Sequence, residues 1–303
     1  MISRRRLITL AIVVTGVCLG GSAVWLKWRD RQSFFDIHVL LSRFPVEDAA
    51  VLNIDFSLLR RGGYLRPSKV PLESEYKQFL DGTGFDYRRD LDLVVASFSK
   101  SGNFFIARGR FNWSKLRDYT ARQGGSCYQD LCRLQGTTPE RHISFLPLRE
   151  DTIGLAVSTD DLAASRLTKA GEAIKADLPA APVWLSIPGT ALREQGAVPP
   201  GIRVVLSALV NADRVVVTMN PAANAVELRL EATCRTEDEA GVLASQLRST
   251  IATIREAMAH DKQAAQDEFA RTLARGNFVQ TERRVTGRWP IEQRTLDSLT
   301  AGI

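Results

Sequence analysis

Apolar and polar residues along the chain form three distinct patterns. The first is an uncharged, mostly apolar run of 20 residues from Leu7 to Leu26, which at roughly 1.5 Å per residue is long enough to cross a membrane once. The second is a series of short segments rich in apolar residues and bounded by polar turns, which predicts β-strands. The third is an apolar stripe at every third or fourth position after Thr236, which predicts an amphipathic helix.

The apolar run predicts a membrane anchor. Three arginines precede it. Trp25 lies near its end, and Trp28 and several basic residues follow it, as is typical where a helix leaves the bilayer. Cleavage as a signal peptide is the alternative, because a basic, an apolar and a small-residue segment also occur here in that order. Gly16 and Gly20 have the spacing that lets two membrane helices pack closely.

The strand-like segments occur twice in the same order, which predicts an internal duplication. The matched segments are 52–54, 92–98 and 104–111 in the first copy and 185–187, 214–220 and 226–233 in the second. After the last strand of each copy a hydroxyl residue, Ser114 or Thr236, is placed to cap the next helix. Short turns between neighbouring strands predict antiparallel pairing.

The predicted fold class is α+β: an N-terminal transmembrane helix followed by two related α+β modules, with mainly antiparallel sheets covered by helices on one face. We assign residues 1–31 to the anchor with its basic flanks, 32–176 to the first module and 177–303 to the second. A strand over 278–288 and a final helix over 290–299 are predicted to end the second module.

The long helix after Thr236 has two possible roles. Its apolar stripe consists of Leu243, Leu247, Ile251, Ile254 and Met258. Such a stripe usually packs into a core, but this one is narrow, and a helix continuing to Arg275 would span about 60 Å, more than a small domain needs. The stripe is therefore also a candidate surface for a protein partner or a second copy of the chain.

The basic character of the chain is concentrated near the anchor. The formal net charge is +6, but six of the basic residues and only one acidic residue lie before residue 32, so the remainder has a net charge of +1. Without a concentrated basic face there is little counterion release to drive binding to a phosphate backbone. We therefore expect no nucleic-acid partner.

One cysteine pair bears on the compartment. Cys127 and Cys132 enclose four residues, a spacing that a tight turn can bridge with a disulfide. A disulfide favours an oxidising compartment outside the cytoplasm, whereas two unpaired thiols would fit a reduced cytosol. We expect the disulfide, with the bulk of the chain outside the cytoplasm.

The sequence carries no common catalytic or cofactor motif, and we expect neither enzymatic activity nor a cofactor. The three histidines are far apart in sequence and predict no metal site. Carboxylates concentrate only at Asp81, Asp86, Asp90 and Asp92. These could hold a cation or an acid/base pair, but their position around a helix end, beside two arginines, favours loop and capping roles.

Three segments carry a resemblance to a known kind of protein. They are residues 51–60, Gly84–Asp86 followed by Asp90–Val95, and Gly109–Phe111. The chain resembles uncharacterised bacterial proteins that have one N-terminal anchor and a repeated, envelope-facing domain. The resemblance implies a bacterial envelope setting and brings no catalytic residues with it.

These observations favour a non-catalytic, membrane-anchored extracytoplasmic binding protein, an accessory subunit or assembly factor of an envelope complex. Its expected partner is a protein or a second copy of itself. Two alternatives remain: a small-molecule or lipid binder that uses the cleft between the modules, and an envelope enzyme that uses the carboxylates. The expected location is the bacterial inner membrane with a single crossing, or the secreted fraction if the N-terminal segment is cleaved.

Overall fold

The computed structural model describes residues 36–45, 48–65, 74–136, 138–172, 177–193, 208–222, 225–260 and 268–291. The predicted anchor, with Gly16 and Gly20, lies outside these ranges, as does the predicted final helix beyond Ile291. Within them, no helix combines the length and the apolar composition that a membrane crossing needs.

The described residues form strands and short helices in an order close to the predicted one. The strands are β1 (Ala50–Ile54), β2 (Leu91–Ser99), β3 (Gly102–Gly109), β4 (Ser126–Tyr128), β5 (Leu131–Gln135), β6 (His142–Arg149), β7 (Thr152–Ser158), β8 (Val183–Pro188), β9 (Arg214–Ala222), β10 (Ala225–Thr233), β11 (Asn277–Thr281) and β12 (Arg284–Ile291). The helices are α1 (Ile37–Leu41), α2 (Phe56–Arg61), α3 (Ser74–Thr83), α4 (Tyr87–Asp90), α5 (Trp113–Arg122), α6 (Gly189–Arg193), α7 (Glu237–His260) and α8 (Glu268–Ala274), and a 3₁₀ helix runs over Ala163–Thr168.

Within the described ranges, twelve strands form one antiparallel sheet, in the order β11-β12-β10-β9-β8-β1-β2-β3-β7-β6-β5-β4. The antiparallel α+β class is confirmed, but the expectation of one sheet per module is wrong. The first strand of each predicted module, β1 or β8, pairs with the other, with Leu52 opposite Leu185. This pairing satisfies the backbone groups of two strands that would otherwise be free edges.

The strands next to the shared pair are arranged alike on its two sides. β2 and β3 follow β1 on one side of the shared pair, and β9 and β10 follow β8 on the other. The module boundaries at 32–176 and 177–303 stay predictions, and below, the first and second modules mean the described residues before and after this predicted boundary.

The core of the second module lies on what we name the front face of the sheet, the face on which α7 packs. Alternation along β10 places Leu230 and Ala232 on this face and Arg229 and Glu231 on the opposite, back face. Leu230 lies in one buried cluster with residues from α7 and the neighbouring strands. These are Val215, Leu243, Leu247, Ile251, Phe278, Val285 and Trp289.

The first module has cores on both faces, so the expectation of helices on one face only is wrong there. On the front face, Leu116 of α5 packs with Phe145 and Ile153 of the sheet. On the back face, α1 and the 3₁₀ helix cover an apolar layer that includes Phe104 and Trp184. Strands β2 and β3 have buried residues on both faces, as strands between two layers require.

Two predicted helix starts have different outcomes. Thr236 caps α7 as predicted, because its Oγ1 accepts a hydrogen bond from the Glu239 amide at 3.1 Å. Ser114 is not the cap of α5. Asn112 takes that role, since its Oδ1 accepts from the Lys115 amide at 3.1 Å, and the helix begins at Trp113.

The end of the second module also differs from the prediction. The guanidinium of Arg255 on α7 donates from Nε to the Ala274 carbonyl at 2.7 Å. In one straight helix these residues would be about 28 Å apart along the axis, so the chain reverses direction between them and the 60 Å helix is wrong. The single strand predicted over 278–288 is instead a hairpin of β11 and β12, with Pro290 and Ile291 in β12 rather than in a helix.

Candidate functional site

The acidic residues singled out in the sequence do not form a common site. Asp86 caps α4, its Oδ1 accepting from the Arg88 amide at 3.0 Å. Asp92 pairs with Arg60 at 3.3 Å, and Asp81 is exposed on α3. Across the described residues, no group of His, Cys, Asp or Glu side chains is arranged to hold a metal ion.

Asp90 is the buried member of this set. Its side chain is 8% exposed, and its oxygens receive Arg89 at 2.8 Å, Arg110 at 3.1 Å and the Asp86 amide at 2.9 Å. Burial raises the pKa of Asp90, but the hydrogen bonds from Arg89 and Asp86 and the charges of Arg89 and Arg110 outweigh it, and the pKa lies below its usual value. These contacts give Asp90 a structural role in joining α4 to the ends of β2 and β3.

The predicted disulfide between Cys127 and Cys132 is confirmed. It joins β4 to β5 across a two-residue turn, with the cysteines directly opposite each other in the hairpin. Cys132 lies in the front core of the first module, whereas Tyr128 at the tip is 73% exposed. The hairpin therefore presents an aromatic side chain to solvent from a cross-linked base.

The apolar stripe of α7 belongs mainly to the core. Leu243, Leu247 and Ile251 are buried, and Ile254 packs against the same cluster. Met258, near the helix end, is half-buried. The three buried side chains make their contacts within the chain, so they are not available to a partner.

The back face of the second module has a different character from that of the first. We name the back-face side chains of β9, β10, β11 and β12 the open face, because the helices described for this module pack on the front face. These side chains are exposed or half-buried and mostly polar. The charged ones are Arg214, Glu227, Arg229, Glu231, Arg284 and Arg288.

A groove of about 430 Å³ lies on the open face, between the sheet and the chain segment 177–181. Within it, Glu231 contacts Arg229 at 3.2 Å and Arg284 at 3.6 Å. The Nε of Arg214 donates to the Ser186 hydroxyl at 3.1 Å. The groove thus holds three guanidinium groups, two of which share the Glu231 carboxylate, and Asp177 adds a second carboxylate to its lining.

A second groove, of about 460 Å³, lies beside the first on the open face near β11. Arg229 and Arg288 are its charged residues, and Asn277, Thr281 and Thr286 contribute polar side chains. Its exposed apolar residue is Val279. Guanidinium groups in such positions can bind carboxylates with two parallel hydrogen bonds.

Sequence reasoning missed the open face. Alternation in β10 predicts one polar face, but it does not say whether that face is covered, as it is in the first module. The two modules also join directly at the centre of the sheet, where a cleft was expected, because β1 and β8 pair with each other there. The signal that could have been used is that strand alternation places several arginines on the same face, Arg284 and Arg288 in β12 and Arg229 in β10.

The free edge of β11 is partly blocked. Arg248 of α7 donates from both Nε and Nη2 to the Phe278 carbonyl at 3.3 Å. An edge carbonyl occupied in this way is a poor acceptor for an added strand. Arg248 therefore makes the addition of a strand at this point of the β11 edge less favourable.

No protein-family model matches the chain, and no curated protein matches it. Solved structures of TP0453 are similar to it in shape. Crystal form I has a TM-score of 0.47 and 10% sequence identity, covering 87% of this chain and 97% of that one. Crystal form III has a TM-score of 0.45 and 9% identity, covering 87% and 98%.

Proposed function

We propose that this protein is a membrane-anchored, extracytoplasmic binding protein without catalytic activity, an accessory subunit or assembly factor of an envelope complex, and that its partner is a protein with an acidic surface. The observation that carries the proposal is the arginine-rich open face of the second module. The two grooves on this face are lined by four arginines against the carboxylates of Glu231 and Asp177, which leaves an excess of positive charge.

The composition of the open face favours a protein partner. Arginine is enriched at the centres of protein interfaces, because its planar group binds carboxylates and also packs on apolar surface. Arg288 is exposed, and in the described part of the chain it has no ion-pair partner. An acidic partner would pair this group directly and would compete with Glu231 for Arg229 and Arg284.

The disulfide supports the extracytoplasmic part of the proposal. A bond between Cys127 and Cys132 at an exposed hairpin persists in an oxidising compartment and is rare in the cytosol. Together with the predicted anchor, this favours a bacterial inner membrane protein whose bulk lies in the periplasm. Secretion after cleavage of the N-terminal segment is the alternative location.

The test is purification of the full-length chain from its native membrane in mild detergent, with a C-terminal tag and identification of co-purifying proteins. The variant Arg284→Gln/Arg288→Gln removes two exposed charges from the open face. The matched control, Arg117→Gln/Arg122→Gln, removes two exposed charges from α5 of the first module.

We expect stoichiometric companions with the wild type and the control, and their loss with the open-face variant. Companions that stay with both variants would show that the open face is not the docking surface. A wild-type chain that purifies alone, as a monomer of 33.5 kDa, would contradict the accessory-subunit function itself.

A further inference from the structure

A small cavity in the first module has a charge that the sequence does not suggest. The cavity, which we name the Lys115 pocket, has a volume of about 290 Å³ and lies among the end of α3, the end of β3 and the start of α5. This volume is just below the range of roughly 300–1,000 Å³ found for sites that bind drug-sized ligands. Its size therefore suits a small ion or a headgroup.

Three cationic side chains line the Lys115 pocket. These are Arg89, Arg110 and Lys115, and the acidic residue among them is Asp90. Asp90 is already saturated by Arg89, Arg110 and the Asp86 amide. Its carboxylate aligns the two guanidinium groups and leaves the pocket with an excess of positive charge.

Lys115 is the cation with the fewest internal contacts. Its side chain is exposed, and within the described ranges its ammonium group has no ion-pair partner. A Cβ built on Gly84 would lie 3.4 Å from Lys115 Nζ, so the ammonium group lies next to a backbone with no side chain. Gly84 has a φ of +72°, a conformation that few residues other than glycine adopt. Gly84 therefore places backbone without a side chain beside the ammonium group.

The apolar wall of the pocket is ordered by aromatic packing. The Phe85 and Phe111 rings stack with their centroids 5.3 Å apart and an interplanar angle of 11°. Phe111 also contacts Trp113 at 5.7 Å, at the first position of α5. The wall holds the backbone on both sides of the cationic groups, which limits the reorganisation needed on binding.

We propose that the Lys115 pocket binds a small oxyanion, with Lys115 as the principal ligand and Arg89 and Arg110 in support. The shared chemistry is a phosphate group, which could be free inorganic phosphate or the phosphate of an anionic lipid headgroup. This site lies in the first module and the open face in the second, so it does not depend on the proposed protein partner.

The experiment is calorimetric titration of the full-length chain in neutral detergent with inorganic phosphate and, separately, with water-soluble dihexanoyl phosphatidylglycerol. The test variant is Lys115→Gln. The matched control is Lys169→Gln, which removes another exposed lysine, beyond the 3₁₀ helix. Circular dichroism of both variants checks that the fold is kept.

We expect the wild type to bind, and Lys115→Gln to weaken the binding affinity roughly tenfold, which is the low end for the loss of a charged hydrogen bond near solvent. Lys169→Gln should leave the affinity unchanged. Lys115-dependent binding of inorganic phosphate identifies a free anion as a sufficient ligand. Lys115-dependent binding of the lipid alone identifies the headgroup. The proposal is overturned if neither ligand binds at about 10 mM, well above a weak Kd of about 1 mM, or if Lys115→Gln binds like the wild type.

Discussion

Truncation of Leu247 to alanine tests whether α7 holds the second module together. Leu247 is 1% exposed and lies in a cluster that includes Trp289. The change removes three carbon atoms, worth about 2.4 kcal/mol at roughly 0.8 kcal/mol each. The cavity left behind adds to this, so we expect the free energy of unfolding to fall by about 3–4 kcal/mol, within the range of about 2–5 kcal/mol for buried leucines.

The matched control is Val242→Ala, which removes apolar atoms from the same helix at a position that is 59% exposed. It should change the free energy of unfolding by less than about 0.5 kcal/mol. Urea unfolding followed by tryptophan fluorescence measures both. If both substitutions changed the free energy of unfolding by equal, small amounts, the core assignment would be refuted and the apolar stripe of α7 would again be a candidate partner surface.

Three further outcomes follow from other parts of the molecule. Replacing Cys127 and Cys132 with serine should lower the free energy of unfolding by about 2 kcal/mol, the chain-entropy value for so short a loop, and reductant should then have no further effect in urea titrations. Asp90→Asn should destabilise the protein at neutral pH. Because the folded-state pKa of Asp90 is lowered, the wild-type advantage should be complete above about pH 4 and disappear as the pH falls through that lowered pKa; a constant difference between pH 7 and pH 3 would contradict the ion-pair role. In the predicted anchor, Gly16→Ile with Gly20→Ile should reduce co-purification of a membrane partner, and unchanged co-purification would remove helix packing from the proposal.

Local patterns predicted much of the secondary structure. Strands β9 and β10 were recognised because apolar residues alternate or run together between polar turns. This pattern is local, so it does not depend on which strands become neighbours in the fold. The disulfide was predicted because two cysteines with four residues between them can face each other only across a tight turn. Trp184 and Trp289, which lie in strands β8 and β12, are buried.

Non-local contacts were the part that the sequence did not disclose. No local pattern says that β1 pairs with β8, because each strand reads the same whichever neighbour it has. The charge of the Lys115 pocket was hidden for a similar reason. Arg110, which directly follows the next strand, β3, reaches Asp90, so an acidic run in the sequence becomes a cationic cavity in the fold.

The shared β1–β8 pair also determines when the sheet can be completed during synthesis. Leu52 and its partner Leu185 are separated by more than 130 residues, which take roughly 7–26 seconds to synthesise at about 5–20 residues per second. Until β8 is available, the outer edge of β1 has unpaired backbone groups that can recruit another strand. A first module without the second would thus expose a strand edge that can pair with other chains. Synthesis and export of both modules together would avoid this route to aggregation.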